Sequence, residues 1–170
     1  MREFLSLPEE RVRILKKNKD IVKRIESLAD AKIEVENCEV SFECENPFMS
    51  MRLKEVFRAF GRGFDIHDAL DLLDEDYFFD SIEVKDYAGK SRKRQIALKG
   101  RVIGREGKMK KRIEELAKVK VAVYGKTVSI IGKWENLQIA KRAIEMLLSG
   151  ASHGSVYRFL ETRKSSESSY

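Results

Sequence analysis

The sequence has little of what several common functional sites require. It contains two cysteines, two histidines and one tryptophan among 170 residues. Cys38 and Cys44 are separated by five residues and have no histidine near them, which is not the spacing of a zinc or redox site. We therefore expect reduced, structural cysteines in a cytoplasmic protein, because disulfides persist mainly in oxidising compartments.

Long apolar runs are also missing. No segment approaches the roughly 20 apolar residues that span a bilayer. The N-terminal sequence MREFLSLPEE lacks the apolar core of a signal peptide, so we expect neither secretion nor a membrane partner. Gly-Lys-Ser occurs at 89–91 and Gly-Lys-Thr at 125–127, but neither is preceded by the longer glycine loop of the pattern G-x-x-x-x-G-K-[ST], so a phosphate-binding P-loop is not predicted.

Charge is distributed unevenly along the chain. Residues 1–80 contain 13 basic and 19 acidic residues, whereas residues 81–170 contain 21 basic and 9 acidic ones. Within Lys90–Arg112, eleven residues are Lys or Arg, and Glu106 is the single acid. Because a solvated helix face usually mixes charges of both signs, this segment predicts a surface that binds nucleic acid.

An internal repeat relates the two halves of the chain. At an offset of 88, residues 13–42 align without gaps on residues 101–130, and 11 of the 30 pairs are identical. Each stretch is followed by an apolar-periodic segment, 52–64 in one half and 138–151 in the other. The sequence therefore predicts two tandem copies of one module of roughly 80 residues.

Each copy has the pattern of a mixed α+β module. The alternating segments EFLSL (3–7) and SIEVKDY (81–87) predict first strands, and helical periodicity follows over 9–29 and 92–117. Two more alternating segments, joined by tight turns at Asn37-Cys38 and Gly125-Lys126, predict a hairpin in each copy. A final amphipathic helix gives the order β-α-α-β-β-α, which implies a three-stranded antiparallel sheet covered by helices. A short extra helix is predicted after each copy, over 65–73 and 155–161.

Two glycines interrupt the helical segment of the second copy. Gly104 and Gly107 bracket Arg105 and Glu106, directly before the basic helical sequence that starts at Lys108. Glycine permits close approach of backbone to a ligand, and the start of a helix favours a phosphate. A G-x-x-G turn between two helices is the loop by which KH modules hold the backbone of about four single-stranded nucleotides. This context predicts a type I KH-like module, with Ile103 and the strand over 119–124 as an apolar wall for bases.

The predicted RNA-binding residues are the loop and the basic residues around it. They are Lys90, Arg92, Lys93, Arg94, Arg101, Ile103, Gly104, Arg105, Glu106, Gly107, Lys108, Lys110 and Lys111. In the first copy the two glycine positions are occupied by Lys16 and Lys19. We therefore predict a degenerate KH-like module over 1–78 that lacks the loop, a KH module over 79–163 that has it, and a disordered polar tail over 164–170.

Three segments of the second half resemble a known family. LKGRVIGREGKMKKRIEEL, VYGKTVSIIG and SGASHGSVYRFLE are similar to the archaeal partner-of-Nob-one family of KH-domain ribosome-assembly factors. The resemblance covers nearly the whole chain. It implies binding to the 3′-end region of small-subunit ribosomal RNA (rRNA), cooperation with the endonuclease Nob one, and contact with the alpha subunit of translation initiation factor two. Within this chain the family's RNA-clamping motif falls on Gly104–Gly107, followed by Lys108.

Other functions have weaker support from the residues. The acidic segment 65–80 lacks the ligand spacing of a metal site, and favours a solvated face or a surface for a basic protein, with Asp65 as a helix cap. His153 has no paired nucleophile or acid cluster, so we expect a non-enzymatic protein without a cofactor. A protein-interaction adaptor and a general RNA chaperone or decay-complex subunit remain the alternatives.

Overall fold

The structure is a computed structural model, described for residues 2–167, with side chains through residue 163. It divides into two compact units, residues 1–75 (unit 1) and 76–170 (unit 2). The predicted boundary after residue 78 would fall inside the strand Tyr77–Glu83. The structure places the division three residues earlier than predicted, because the aromatic run after Asp76 belongs to the sheet of unit 2.

Unit 1 has the predicted order of elements. They are β1 (Arg2–Ser6), α1 (Glu9–Lys17), α2 (Lys19–Ala29), β2 (Ala31–Glu36), β3 (Glu39–Cys44), α3 (Pro47–Gly61), α4 (Ile66–Ala69) and a 3-10 turn (Leu70–Leu73). Asn46 caps α3, since its side chain accepts hydrogen bonds from the N–H groups of Phe48 and Met49, and Pro47 occupies the first helical turn.

Unit 2 repeats this order with additions. Its elements are β4 (Tyr77–Glu83), α5 (Lys85–Ala88), α6 (Arg92–Ile103), a 3-10 turn (Arg105–Gly107), α7 (Lys108–Ala117), β5 (Lys120–Tyr124), β6 (Thr127–Lys133), α8 (Trp134–Leu148) and α9 (His153–Glu167). Each unit contains one three-stranded antiparallel sheet, in the order β1-β3-β2 or β4-β6-β5. The predicted α+β fold class is confirmed.

The two hairpin turns are built as the sequence predicts. The first residue of each turn, Asn37 or Gly125, has a positive φ, 50° and 54° respectively. Asparagine and glycine are the residues that adopt this conformation most readily. The registers of the two hairpins correspond, with Val35 opposite Val40 in one and Val123 opposite Val128 in the other.

Helices α2 and α7 are equivalent in detail. The carboxylate of Glu26 accepts a hydrogen bond from the N–H of Ile33 at 3.0 Å, and that of Glu114 accepts one from Val121 at 3.1 Å. Both helices end on a left-handed residue, Asp30 or Lys118, whose N–H donates to the carbonyl of that same glutamate. The internal repeat therefore extends from sequence identity to individual hydrogen bonds.

Each sheet packs its apolar face against helices. In unit 1, Phe42 of β3 lies 5.8 Å from Phe57 of α3, measured between ring centroids, and both side chains are fully buried. In unit 2, Val128 and Ile130 of β6 share one core with Ile113 of α7 and Ile144 of α8. Lys141 of α8 forms an ion pair of 2.9 Å with Asp80 of β4, and this hydrogen bond raises the pKa of the lysine. The strands and α8 thus hold α6 and α7 in fixed positions.

Three predicted segments differ from the structure. The first strand of unit 2 ends at Glu83, and α5 replaces its predicted last residues. Helix α9 runs through Glu167 rather than ending at residue 161, so residues 164–167 are helical instead of disordered, while residues 168–170 lie outside the described part. The acidic segment forms α4, the 3-10 turn and the start of β4 rather than one helical face. Asp65 caps α4 as expected, since its Oδ1 accepts a hydrogen bond from the N–H of His67 at 2.8 Å.

Cys38 is exposed, Cys44 is buried, and both are free thiols. Among the described residues, no helix combines the length and the apolar character needed to cross a membrane.

Candidate nucleic-acid interface

The two glycines form a tight loop between α6 and α7. Gly104 has φ 74° and ψ 174°, and Gly107 has φ 75° and ψ 11°. Between them Glu106 also has a positive φ, 57°. Side chains disfavour these conformations, and the one at Gly104 is essentially confined to glycine. The turn from one helix into the next therefore requires glycine at position 104 and favours it at position 107.

Gly104 is also required by its surroundings. A Cβ atom at this position would lie 2.6 Å from Cβ of Met109 and 2.8 Å from its backbone nitrogen. At Gly107, by contrast, an added Cβ would meet no atom within 4 Å. Gly104 thus packs the loop onto α7, whereas Gly107 leaves open space beside the backbone.

The open side of the loop lies at the start of α7. The residue that precedes this helix, Gly107, has no side chain with which to cap it. The first amides of any helix lack carbonyl partners within the helix, and the helix dipole is positive at this end. In the loop itself the N–H of Gly107 donates to the carbonyl of Gly104 at 3.2 Å, and the N–H of Lys108 donates to that of Arg105. The open space beside Gly107 and the positive end of the helix dipole suit an anionic oxygen.

Three predicted basic residues surround this position with exposed side chains: Arg105 in the loop, and Lys108 and Lys111 in α7. Lys110 differs, because its side chain is half-buried and lies 3.7 Å from the carboxylate of Glu114. Glu106, the acid among the predicted site residues, is exposed in the loop itself.

A second group of predicted residues lies at the other end of α6. Lys90, Arg92, Lys93 and Arg94 are all exposed, and the last three form the first turn of the helix. Cations at this end interact unfavourably with the helix dipole, so their concentration here indicates a role in binding an anion. At 1.5 Å per residue, α6 separates this group from the loop by roughly 16 Å. The single basic run of the sequence therefore forms two clusters.

Arg101 has a structural role in addition to any contact with RNA. Its guanidinium donates a hydrogen bond to the carbonyl of Ala151, in the connection between α8 and α9. The side chain is half-buried as a result. It links α6 to the C-terminal part of the unit.

The predicted apolar wall is exposed at Ile103 but buried at two of its strand residues. Val119 and Val121 are 6% and 4% exposed and belong to the core. Ile103 is 37% exposed. Ile96, which lies two helical turns earlier on the same face of α6, is 60% exposed. Alternation in the strand directs its valines toward the helices, so α6 supplies the exposed apolar surface.

Comparisons with known proteins agree with this geometry. Residues 78–165 match the family model of the second PNO1 KH domain, described as a eukaryotic type KH-domain (KH-domain type I). A KH domain-containing protein of Methanocaldococcus jannaschii is 40% identical over 168 residues, which cover 95% of this chain and 74% of that protein. The chain belongs to the PNO1 family of KH-domain proteins.

Other relatives of this family differ in length or are known in complexes. RNA-binding protein pno1 of Dictyostelium discoideum is 36% identical over 112 residues, 64% of this chain and 46% of that protein. A chain in the crystal structure of an a/eIF2alpha–aDim2p–rRNA complex from Pyrococcus horikoshii superposes with a TM-score of 0.87 at 37% identity. That match covers 98% of this chain and 95% of the other, so the fold of both units is shared. The resemblance to the family and the KH-like fold are confirmed.

Sequence reasoning missed two residues on the exposed face of α6. Ile96, Gly100 and Ile103 are spaced i, i+4 and i+7 and therefore lie on one face of the helix. Gly100 lies in the helix interior, where glycine is unfavourable by about 1 kcal/mol relative to alanine. An added Cβ would meet nothing within 4 Å, so packing does not demand this glycine. The spacing was readable in the sequence, and it marks a strip where a ligand can approach the backbone.

Unit 1 has no counterpart of the loop. Helices α1 and α2 are joined by the single residue Asn18, whose φ is −116°. Lys16 and Lys19, at the glycine positions, belong to the helices themselves and are exposed. Unit 1 therefore joins its two helices without a glycine loop.

Proposed function

We propose that this protein is a non-enzymatic, single-stranded RNA-binding factor of small ribosomal subunit biogenesis. It binds the 3′-end region of small-subunit rRNA near its maturation site and assists the processing endonuclease Nob one. The observation that carries the proposal is the loop Gly104–Gly107, which opens on an uncapped helix start and is flanked by exposed Arg105, Lys108 and Lys111.

The geometry supports a division of roles within the site. A phosphate of the RNA lies in the open space beside Gly107, at the positive end of the α7 dipole, while the exposed side chains neutralise its charge. Bases lie along the strip formed by Ile103, Gly100 and Ile96, where apolar side chains and a glycine permit close contact. Arg92, Lys93 and Arg94 receive phosphates beyond this strip.

The partners are supported by the relatives. The Pyrococcus horikoshii structure that superposes on this chain is a complex with rRNA and a/eIF2alpha. We therefore propose RNA and the alpha subunit of translation initiation factor two as partners of this chain. Relatives named as pre-rRNA-processing proteins support the assignment to rRNA maturation.

The lack of a clamp in unit 1 favours a second function, that of a protein-interaction adaptor. In such a protein unit 1 recruits other proteins, and RNA binding by unit 2 only localises the assembly. General RNA binding without one defined site is the third alternative, and one experiment separates the three.

The test is ultraviolet crosslinking of the full-length protein to RNA in native lysate, followed by mapping of crosslinked nucleotides and peptides. We expect crosslinks in the 3′-end region of small-subunit rRNA, joined to peptides that contain residues 96–111. A variant with Arg105→Asp and Glu106→Asp serves as the control and should lose these crosslinks.

Two results would contradict the proposal. Crosslinks spread over many cellular RNAs would indicate a general RNA-binding protein. Crosslinks that persist in the Arg105→Asp, Glu106→Asp variant would show that the loop is not the contact.

A further inference from the structure

Helices α2 and α7 carry equivalent faces, but the face of α7 is covered whereas that of α2 is exposed. They share the glutamate-to-strand hydrogen bond, the left-handed end and the identical residues Arg24/Arg112 and Leu28/Leu116. Ile25 and Ile113, which point into the two cores, are both fully buried. A position on one helix can therefore be compared directly with its counterpart on the other.

In unit 2 the outer edge of this face is covered by α9, which packs against both α7 and α8. Leu116 is only 8% exposed, and Val156 and Leu160 of α9 are buried in the same cluster. Arg112 of α7 makes two further contacts with α9. Arg112 lies 3.4 Å from the carboxylate of Glu161, and its guanidinium lies 6.0 Å from the ring centre of Tyr157.

In unit 1 the same edge is open. Leu28 is 52% exposed, and Arg24 is exposed as well. Ile21 is half-buried, whereas its counterpart in unit 2, Met109, is only 1% exposed. After α3 the chain of unit 1 forms α4 and a 3-10 turn, which pack on α3 and end at Leu73. The corresponding segment of unit 2 is the longer helix α9, His153–Glu167. Unit 1 therefore has the docking face but only the beginning of the helix that would cover it.

We propose that the face formed by Ile21, Arg24 and Leu28 binds an amphipathic helix of a partner protein. The contacts of α9 define its chemistry: an aromatic residue, an aliphatic residue three positions later, and a carboxylate at the next position, as in Tyr157, Leu160 and Glu161. The aliphatic side chain covers Leu28, and the carboxylate pairs with Arg24.

The occupant is a different protein rather than a second copy of this chain. The segment with the required pattern, α9, already uses Val156 and Leu160 in the core of its own unit. Releasing it would expose that core to solvent, which is unfavourable. Nucleic acid does not fit either, because two of the three residues of the face are aliphatic. The inference does not depend on RNA binding by unit 2.

The first test uses a synthetic peptide of residues 153–167 as the probe. A lactam between positions 158 and 162, made with Arg158→Lys and Thr162→Asp, holds it helical without altering the docking side chains. It is titrated into isotope-labelled full-length protein and followed by amide chemical shifts. We expect saturable shifts at Ile21, Arg24 and Leu28, with a dissociation constant below roughly 1 mM.

Charge reversal makes the test specific. Arg24→Glu in the protein should weaken binding about fivefold, and Glu161→Lys in the peptide should restore it. Lys23→Glu, which makes the same charge change about 100° around α2 and outside the proposed face, is the matched control and should have a clearly smaller effect. Leu28→Asp should weaken binding at least about tenfold with an unchanged melting temperature, because the side chain is exposed.

The proposal is wrong if the peptide causes no saturable shifts on α2, or if Arg24→Glu and Lys23→Glu have equal effects and the charge swap does not restore binding. It is also overturned if sedimentation shows a dimer that Leu28→Asp dissociates, since the face would then belong to a second copy.

Discussion

At the scale of single residues, glycine is favoured at the two loop positions for different physical reasons. Gly104 combines a glycine-only backbone conformation with a contact distance of 2.6 Å to Met109, so it determines whether the loop can form. Gly107 has open space around it, so only its left-handed backbone selects glycine. Replacing each glycine by alanine distinguishes these two reasons, because the loss of stability should differ between the two positions.

We predict that Gly104→Ala lowers the free energy of unfolding by about 2 kcal/mol or more. Gly107→Ala should lower it by about 1 kcal/mol, since only the left-handed conformation is penalised. Chemical denaturation of the two variants measures the difference. Equal losses would show that the contact with Met109 relaxes freely.

Single residues also show what the sequence could and could not predict. The loop was predictable because glycine spacing directly constrains the backbone. The pairing of Lys110 with Glu114 was predictable in principle from their i, i+4 spacing. The hydrogen bond from Arg101 to Ala151 joins residues 50 positions apart, so no local pattern reveals it. In the strand over 119–124, alternation identifies two faces without telling which one is buried, and Val121 lies on the buried face.

At the scale of elements, one glutamate in each unit ties a helix to the following strand. Glu26 and Glu114 each accept a hydrogen bond from a backbone N–H seven residues later, in a partly buried position. These bonds set the position of α2 and α7 relative to the sheets. In unit 2 they therefore also set the position of the loop that precedes α7.

We predict that Glu26→Ala and Glu114→Ala each lower the free energy of unfolding by about 1.5 kcal/mol, since each leaves a backbone N–H without its charged acceptor. Glu115→Ala is the matched control. Its carboxylate is exposed and lies 4.0 Å from Arg112, so its loss should change stability by less than about 0.5 kcal/mol. Denaturation that gives the same value for Glu114→Ala and Glu115→Ala would contradict this role.

Element order was more predictable than element boundaries. The β-α-α-β-β-α order, both hairpin turns and the repeat were predicted, because apolar periodicity and turn residues are local signals. The end of β4 and the length of α9 were not. Val84 and Ala88 are buried although they follow the strand, and the polar residues 162–167 continue a helix that Val156 and Leu160 anchor. Tertiary packing determines both boundaries.

At the scale of the whole molecule, two copies of one module have diverged in what they expose. Unit 2 has the loop and two clusters of basic side chains, whereas unit 1 joins its helices through Asn18 alone. Unit 1 instead leaves Leu28 of α2 exposed. We infer one unit for RNA and one for a protein partner.

Binding to single-stranded RNA should depend strongly on salt. If the two clusters neutralise about four phosphates, the slope of log K against log salt concentration should be roughly −3. Fluorescence anisotropy at several salt concentrations measures it. A slope near zero would mean that the basic residues of α6 and α7 do not meet the RNA backbone.

Matched charge changes in the two units of the full-length protein test whether RNA binding belongs to the loop of unit 2. Arg105→Asp with Glu106→Asp in the loop changes the charge by −2, and so does Lys17→Asp at the counterpart of Arg105. Both are measured by anisotropy with a single-stranded oligonucleotide from the 3′ end of small-subunit rRNA.

If the loop of unit 2 holds the RNA, the loop variant should lose at least about tenfold in affinity, about 1.4 kcal/mol, while Lys17→Asp should stay within about twofold of the unchanged protein. Equal losses in the two variants, or unchanged affinity of a loop variant with an unchanged melting temperature, would contradict this role of the loop.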